Sequence, residues 1–187
     1  IGKIKITDVN LVVSTGITYS EQNIRLESFL SHNFGFSPPV KLVHHQDAHL
    51  ATSFYSSEFE ESLSFSIDAS GDGDCNHLAI MKRNQEMKLI DSIPSSNSLG
   101  MFYTLMTHFL GFEDGDEYKV MGLAPYGKPR YKNLIINELM DLKEDGTFKL
   151  NMKYFNYTTG LTMTNKNFSK LFGQPVRDPK KDLLTQF

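Results

Sequence analysis

The chain has 187 residues, a length that suits one domain or two small subdomains with a real core. Its net charge of −3 and its lack of clustered Lys and Arg argue against a nucleic-acid partner, and no apolar stretch approaches the roughly 20 residues of a membrane span. The single cysteine, Cys75, excludes an internal disulfide and favours a reducing, cytoplasmic setting. The sequence begins at Ile1 without an initiating methionine or a signal-peptide pattern, so we expect that it was cut from a longer protein.

The first sixty residues alternate between strand and helix patterns, which predicts an α/β layered fold. The helix pattern consists of apolar residues that recur at three- and four-residue spacing, and a glycine at its end suits a left-handed cap. The expected elements are a strand at 7–13, a helix from Ser20 to Gly35, a strand at 40–44 and a helix at 48–54.

From residue 62 the pattern changes to that of antiparallel strands. Leu63, Phe65 and Ile67 alternate with serines, which predicts a strand whose serine face meets solvent. We interpret the change as the start of a second subdomain. The expected elements are strands at 77–81 and 87–93 joined by a turn at 84–85, helices at 99–109 and 131–142, a strand at 147–150, and a helix at 165–172 before Gly173.

Two histidines four residues apart form the first candidate site. His45 and His49 would share one helix face, about one turn apart, where two imidazoles can hold a single metal ion. Alternatively, they are surface or capping residues at the start of a helix, since histidine pairs often have no ligand. His44 precedes the pair and would point away from that face, so we leave it out of the metal site. The spacing alone leaves both interpretations open.

A glycine-rich acidic loop, Asp-Ala-Ser-Gly-Asp-Gly-Asp at 68–74, follows the alternating strand. Its two glycines could expose backbone N–H groups to phosphate oxygens, which makes Ser70, Gly71 and Asp72 candidate nucleotide-binding residues. A hairpin loop that needs glycine and aspartate only for its turn is equally consistent with the sequence. A calcium loop of the EF-hand type is excluded, because its twelfth position would be Ala79 instead of glutamate.

A third group of candidate site residues follows residue 97. Gly100 lies near the start of a predicted helix, where free backbone N–H groups can bind an anion. Lys119 could meet a phosphate as a point charge, and Gly122 lies three residues further along the same segment. These are the remaining candidate nucleotide-binding residues. From the residues alone, a purely structural connector is the favoured interpretation of the Gly-Leu-Ala-Pro-Tyr-Gly string at 122–127.

Taken together, these segments resemble the O-carbamoyltransferase family, whose members decorate nodulation factors and aminoglycoside antibiotics. The strongest match is the unbroken string Glu-Tyr-Lys-Val-Met-Gly-Leu-Ala-Pro-Tyr-Gly at 117–127. It is joined by Ser-Leu-Gly-Met-Phe-Tyr at 98–103 and by Phe-Gly-Gln-Pro-Val-Arg at 172–177. The resemblance extends from about residue 7 to residue 177, which is almost the whole chain.

The resemblance implies an α/β fold of the actin-like ATPase kind, which sugar kinases and chaperone ATPases share. Two similar halves of that fold surround a nucleotide cleft. Residues 1–60 would form the end of the first half and residues 61–187 the start of the second, so the fold would be incomplete. The family's opening strand pair would precede Ile1, and a domain that uses carbamoyl phosphate would follow Phe187.

The resemblance also implies a metal site. His45 and His49 match histidine ligands of the family, Asp68 matches a third ligand, and a fourth, a carboxylate, would come from sequence after residue 187. One departure is Gln46, which stands where the family has the second of two paired histidines. Iron is the metal that the family implies, and two imidazoles with a carboxylate also suit zinc or manganese.

The reaction implied by the resemblance starts from ATP and carbamoyl phosphate, which give carbamoyl adenylate in the separate domain. The carbamoyl group then passes to a hydroxyl of a small-molecule acceptor beside the metal. The sequence identifies no catalytic residue and does not name the acceptor. The expected partner is the rest of the same polypeptide, with no nucleic acid and no membrane. We expect residues 1–187 alone to be inactive, because both ends of the catalytic unit would be missing.

Two alternative functions compete with this hypothesis. A threonylcarbamoyl transferase that modifies tRNA would have the same fold and the same histidine pair, but the string at 117–127 and the absence of a basic surface argue against it. A catalytically silent actin-like module used for binding would be expected to lose the metal ligands, whereas His45, His49 and Asp68 are all present.

Overall fold

Two compact units make up the computed structural model, which describes residues 4–182. The first unit ends at Ser95 and the second begins at Ser96, and both combine helices with small sheets, as expected for a mixed α/β class. The sequence pattern placed a boundary near residue 60, but the sheet that starts there packs on the preceding helix and stays in the first unit. The assignment of 1–60 and 61–187 to actin-like halves stays a prediction.

The first unit contains one parallel and one antiparallel sheet. The parallel sheet has two strands, β1 and β2, and the antiparallel sheet is a meander of β3, β4 and β5, as the sequence pattern predicted. The elements in chain order are β1 (Val12–Thr15), α1 (Gln22–Phe34), β2 (Val40–Val43), α2 (His45–Tyr55), β3 (Glu61–Phe65), β4 (Asp74–Lys82) and β5 (Lys88–Pro94).

The ends of α1 show which local signals determine its length. Gly35 ends the helix with φ of 70°, so the predicted left-handed cap is confirmed. At the other end, Glu21 adopts a left-handed conformation with φ of 60° and the helix begins at Gln22, so Ser20 is not its cap. The preceding strand also starts later than expected, because residues 6–8 form a 3-10 turn stabilised by the Asp8 carboxylate, which accepts a hydrogen bond from the N–H of Lys5.

Strand β3 exposes its apolar face to solvent and buries its serine face, the reverse of what its sequence suggested. Leu63 and Phe65 are 66% and 57% exposed, whereas Ser64 and Ser66 are only 7% and 5% exposed. The serines tolerate burial because they have hydrogen-bond partners: Ser62 lies 2.7 Å from Ser64 between hydroxyl oxygens, and the Ser66 hydroxyl accepts from a backbone N–H of β4 at 2.9 Å. The prediction of a solvated serine face was therefore wrong.

The core of the first unit joins α2 to the antiparallel sheet. Leu50 and Phe54, one turn apart on α2, pack with Ala79 and Met81 of β4. These residues alternate on β4 and recur at helical spacing on α2, so each element buries one face. This packing fixes α2 on the sheet, and α2 carries both histidines of the candidate metal site.

The second unit has a larger aromatic core. Its elements are α3 (Leu99–Phe109), α4 (Glu117–Leu123), α5 (Lys132–Leu134) with a π-helical turn (Ile135–Leu139), β6 (Met140–Leu142), β7 (Phe148–Leu150) and α6 (Lys166–Phe172). Phe109 of α3 packs edge-on against Phe168 of α6, with ring centroids 5.0 Å apart. The predicted helices at 99–109 and 165–172 are confirmed, and Gly173 ends α6 with φ of 71°.

The helix predicted at 131–142 is shorter than expected. It begins at Lys132 and ends after the π-helical turn at Leu139, which is fully buried. Met140 then pairs with Leu150 in the antiparallel sheet of β6 and β7. This strand pairing overrides the helical spacing of the sequence.

Within residues 4–182, none of the helices combines the length and the apolar character needed to cross a bilayer.

Candidate metal centre

The start of α2 determines where the histidine pair lies. The helix begins at His45, earlier than predicted, because the Nδ1 atom of His44 accepts a hydrogen bond from the N–H of Gln46 at 3.2 Å and caps the first turn. His45 and His49 are consequently one turn apart on the same face of the helix. The sequence pattern had predicted that shared face but had left the cap unassigned.

The side chains of His45, His49 and Asp68 converge on one point. The Nε2 atom of His45 lies 2.8 Å from Oδ2 of Asp68 and 3.0 Å from Nε2 of His49, and the latter lies 3.4 Å from the same Oδ2. Ligand atoms around a single ion are about 3 Å apart when each bond is about 2 Å long, so the spacing fits one cation. The convergence that we predicted for these three residues is confirmed.

Asp68 has the charge state that a metal ligand needs. Partial burial alone would raise the pKa of its carboxyl, but the hydrogen bond from the Ala69 N–H and the two neighbouring histidines together lower that pKa below the ordinary 3.8. The carboxylate form is therefore favoured near neutral pH. All three side chains are partly exposed, with His49 the most exposed at 53%, so a solvated ion has access to the site.

A second polar cluster lies beside the start of α2, and the sequence had not revealed it. His77 of β4 has a side chain that is only 5% exposed and lies between two carboxylates: Nδ1 is 2.9 Å from Asp47 and Nε2 is 3.1 Å from Asp74. The His77 ring stacks on His44 at 4.5 Å with an interplanar angle of 20°. The Nε2 atom of His44 also lies 3.7 Å from Oδ2 of Asp74, so His44, Asp74 and His77 form a second group of potential ligand atoms within 4.8 Å of one another. The cluster links α2 to β4.

The sequence match extends over nearly the whole chain. The sequence model of the family described as the carbamoyltransferase N-terminus matches residues 9–187. The chain belongs to this carbamoyltransferase family. The strings at 98–103, 117–127 and 172–177, which carried the resemblance, all lie within the matched range.

Relatives of this chain include proteins of a Synechocystis and a Sinorhizobium species. It is 46% identical over 147 residues to the uncharacterized protein sll1178 of Synechocystis, an alignment that covers 78% of this chain and 24% of the relative. It is 31% identical over 166 residues to the nodulation protein NolNO of Sinorhizobium fredii, covering 87% of this chain and 24% of the relative. The chain thus spans about a quarter of the length of these relatives.

The loop at 68–74 contacts α2, the helix that carries His45 and His49, instead of standing open. The N–H of Gly71 donates to the carbonyl of Asp74 at 2.8 Å, and the Ser70 hydroxyl lies 2.7 Å from that of Ser95. The Asp72 carboxylate accepts hydrogen bonds from three residues of its own unit. The expectation of a free N–H at Gly71 is therefore wrong, while nucleotide binding by Ser70, Gly71 and Asp72 stays a prediction.

The other candidate nucleotide-binding residues of the carbamoyltransferase domain lie on helices of the second unit. Gly100 occupies the first turn of α3, which Ser98 caps by accepting a hydrogen bond from the Met101 N–H at 3.0 Å. Lys119 and Gly122 both lie on α4, whose last two residues begin the string at 122–127. Lys119 forms an ion pair with Asp116 at 2.7 Å, which raises the pKa of its ammonium group. Their nucleotide role is still a prediction.

Gln46, which departs from the family pattern, has a structural position. Its side chain is fully buried, and its Nε2 donates a hydrogen bond to the carbonyl of Asp74 at 3.2 Å. Residue 46 of this carbamoyltransferase domain therefore faces the sheet and not the triad of His45, His49 and Asp68, so the substitution leaves the triad complete.

Proposed function

We propose that the chain is part of an O-carbamoyltransferase that moves a carbamoyl group from carbamoyl adenylate to a hydroxyl of a small-molecule acceptor. His45, His49 and Asp68 would hold a divalent metal ion at the transfer site. Family membership supports the transfer of a carbamoyl group, and the convergence of three ligand side chains within 4.8 Å of one another is the observation that carries the metal centre.

The donor set suits the metal ions that we propose. Two imidazole nitrogens and one carboxylate oxygen fit iron(II), which we place first, and they also fit zinc or manganese. Three ligands from the protein leave coordination positions open for substrate, as catalytic sites require. Such a metal, when bound, acts as a Lewis acid that polarises a carbonyl oxygen or stabilises a leaving phosphate.

The ligands have defined roles in this proposal. Each histidine presents Nε2 to the site, so its proton belongs on Nδ1 when a metal is bound. Asp68 supplies the negative charge, which its lowered pKa maintains near neutral pH. The open face beside the half-exposed His49 gives a substrate access to the ion.

The rest of the reaction requires more of the polypeptide than these residues. We propose that carbamoyl adenylate forms from ATP and carbamoyl phosphate in a further domain of the same protein, and that the present chain belongs to an actin-like ATPase fold. The parallel pair β1–β2 with α1 between them, followed by the antiparallel meander, is compatible with that proposal. The nucleotide contacts of Gly100, Lys119 and Gly122 belong to the same proposal.

A transfer assay tests the function. The whole protein that contains this chain should transfer labelled carbamoyl groups from carbamoyl phosphate, in the presence of ATP, to members of a panel of hydroxyl-rich sugars that includes an aminoglycoside. His49→Ala should abolish the transfer, and a matched change at the exposed His32 on α1 should leave it unchanged. Transfer by His49→Ala at the parent rate would contradict the metal centre, and failure of the parent with every acceptor would contradict the reaction.

A further inference from the structure

The loop that precedes β4 touches His45 from two sides. We infer that Gly71 and Asp72 are positioning residues that hold His45 in place as a metal ligand, Asp72 through the backbone of His45 and Gly71 through its ring. This inference rests on the proposed metal centre for its function, while the contacts that carry it exist independently of any metal.

The Asp72 side chain links the first residue of α2 to the loop between β1 and α1 through hydrogen bonds. Its Oδ2 atom accepts hydrogen bonds from the N–H of His45 at 2.9 Å and the N–H of Gly16 at 3.1 Å. Its Oδ1 atom accepts from the N–H of Thr18 at 3.1 Å and from the Thr18 hydroxyl at 2.8 Å. One carboxylate therefore joins its own loop to two other segments of the first unit, and one of the four donor atoms is the backbone nitrogen of a candidate ligand.

The backbone conformation of Asp72 suits this contact. The residue adopts φ of 57°, a left-handed conformation that aspartate tolerates better than most residues. Hydrogen-bond acceptors at the start of a helix satisfy backbone N–H groups that have no partner inside the helix. A carboxylate at this position also interacts favourably with the positive end of the helix dipole.

Gly71 makes the second contact, against the ring of His45. A Cβ atom at residue 71 would lie 2.2 Å from Cδ2, 2.3 Å from Cγ and 2.8 Å from Cβ of His45. These atoms form the base of the imidazole rather than its flexible end, so even a methyl group would displace the ring. The Gly71 backbone cannot easily withdraw, because it exchanges hydrogen bonds with Asp74 in both directions, at 2.8 Å and 3.3 Å. Glycine is required at position 71 because the backbone lies so close to the His45 ring, and not because the residue has a positive φ.

The two contacts give the glycine-rich loop a specific role. The loop carries Asp68, the acidic ligand, only three residues before Gly71. The same short segment therefore supplies one ligand and fixes the backbone and the ring of another. Ligand orientation by neighbouring groups is typical of metal sites, where removal of such a group costs about tenfold to a hundredfold in affinity.

Binding of Co²⁺ to the 187-residue chain, followed by its visible absorption, tests the positioning role. Gly71→Ala should weaken binding at least about tenfold while the far-ultraviolet circular dichroism stays that of the parent. Asp72→Asn replaces one acceptor oxygen with a donor and should also weaken binding. Gly127→Ala is the matched control, since a Cβ there meets only the Ala124 carbonyl oxygen at an ordinary 3.5 Å, and it should bind Co²⁺ as the parent does.

Imidazole NMR spectra of the metal-free chain provide a readout that needs no metal. The signals of His45 should move in Gly71→Ala, while those of His77 should remain in place. Unchanged His45 signals, or parent affinity for Co²⁺ in both Gly71→Ala and Asp72→Asn, would overturn the positioning role. Absence of Co²⁺ binding by the parent, with the His45 signals still shifted by Gly71→Ala, would instead contradict the proposed metal centre. If Gly71→Ala does not fold, Asp72→Asn decides the outcome.

Discussion

The Nδ1 atom of His77 lies 2.9 Å from an Oδ atom of Asp47, which ties strand β4 to the helix that carries both candidate histidine ligands. The other ring nitrogen faces Asp74, so both sides of the imidazole meet a carboxylate. The side chain of His77 is 5% exposed, and water therefore cannot replace either contact easily. This connection holds α2 against the sheet beside the triad without belonging to the triad.

Replacement of His77 by alanine should destabilise the first unit. It leaves the Asp47 and Asp74 carboxylates without their shared partner, and we expect a loss of about 1–3 kcal/mol in the free energy of unfolding, the range for a polar group that loses its partner. Urea denaturation measures the loss. His32→Ala, a change at an exposed histidine of α1, should stay within about 0.5 kcal/mol of the parent. Equal stability of both variants would show that the His77 contacts contribute nothing.

His44→Ala should weaken the fold more than the metal site. The variant loses the cap that Nδ1 provides for the Gln46 N–H, and such a loss costs about 0.5–2 kcal/mol. Its affinity for Co²⁺ should fall less than that of His49→Ala, because His44 lies outside the triad. Loss of Co²⁺ binding in His44→Ala with an unchanged unfolding curve would contradict this division of roles.

The contribution of Asp72 to stability should depend on pH. Its pKa is about 2 in the folded chain, below the ordinary value of 3.8, so the folded state favours the carboxylate. The resulting stability is present above about pH 4 and declines as the pH falls toward about 2. The difference in unfolding free energy between the parent and Asp72→Asn should therefore shrink over that range. A difference that is constant from neutral to acidic pH would refute the ionic role of the side chain.

The orientation of β3 can be tested by a pair of substitutions. Leu63 is 66% exposed, so Leu63→Ser should change the free energy of unfolding by no more than about 0.5 kcal/mol. Leu50→Ala, in the core of the same unit, should cost about 2–5 kcal/mol. Thermal or urea unfolding of the two variants gives the comparison. A large loss in Leu63→Ser would mean that the apolar face of β3 is buried, contrary to the structure.

Local signals predicted many of the elements, and tertiary contacts account for the rest. The helix at 99–109 was predictable because Ser98 caps a continuous apolar run, and α6 because glycine follows it. Period-two alternation identified β3 but could not say which face packs on α2. The role of His77 was not predicted because the residue lies 30 positions from Asp47 in the chain, and only the packing of α2 on the antiparallel sheet brings the two together.

The candidate site was predictable only as far as its residue types and spacing allowed. His45 and His49 share a helix face by periodicity, whereas Asp68 was assigned through the family resemblance and its contact with them arises from the fold. The sequence pattern indicated that Gly71 contacts phosphate, because glycine is common in phosphate-binding loops. Its close approach to the His45 ring depends on the positions of two distant segments, which no local pattern encodes.

Titration of the 187-residue chain with Co²⁺ is the most direct test of the metal centre. We predict that one Co²⁺ binds per chain, weakly because the chain supplies three ligands, and that His49→Ala loses this binding while keeping the circular dichroism of the parent. His32→Ala should bind as the parent does. Absence of Co²⁺ absorption in the folded parent, or equal binding by His49→Ala, would contradict the assignment of His45, His49 and Asp68 as a metal site.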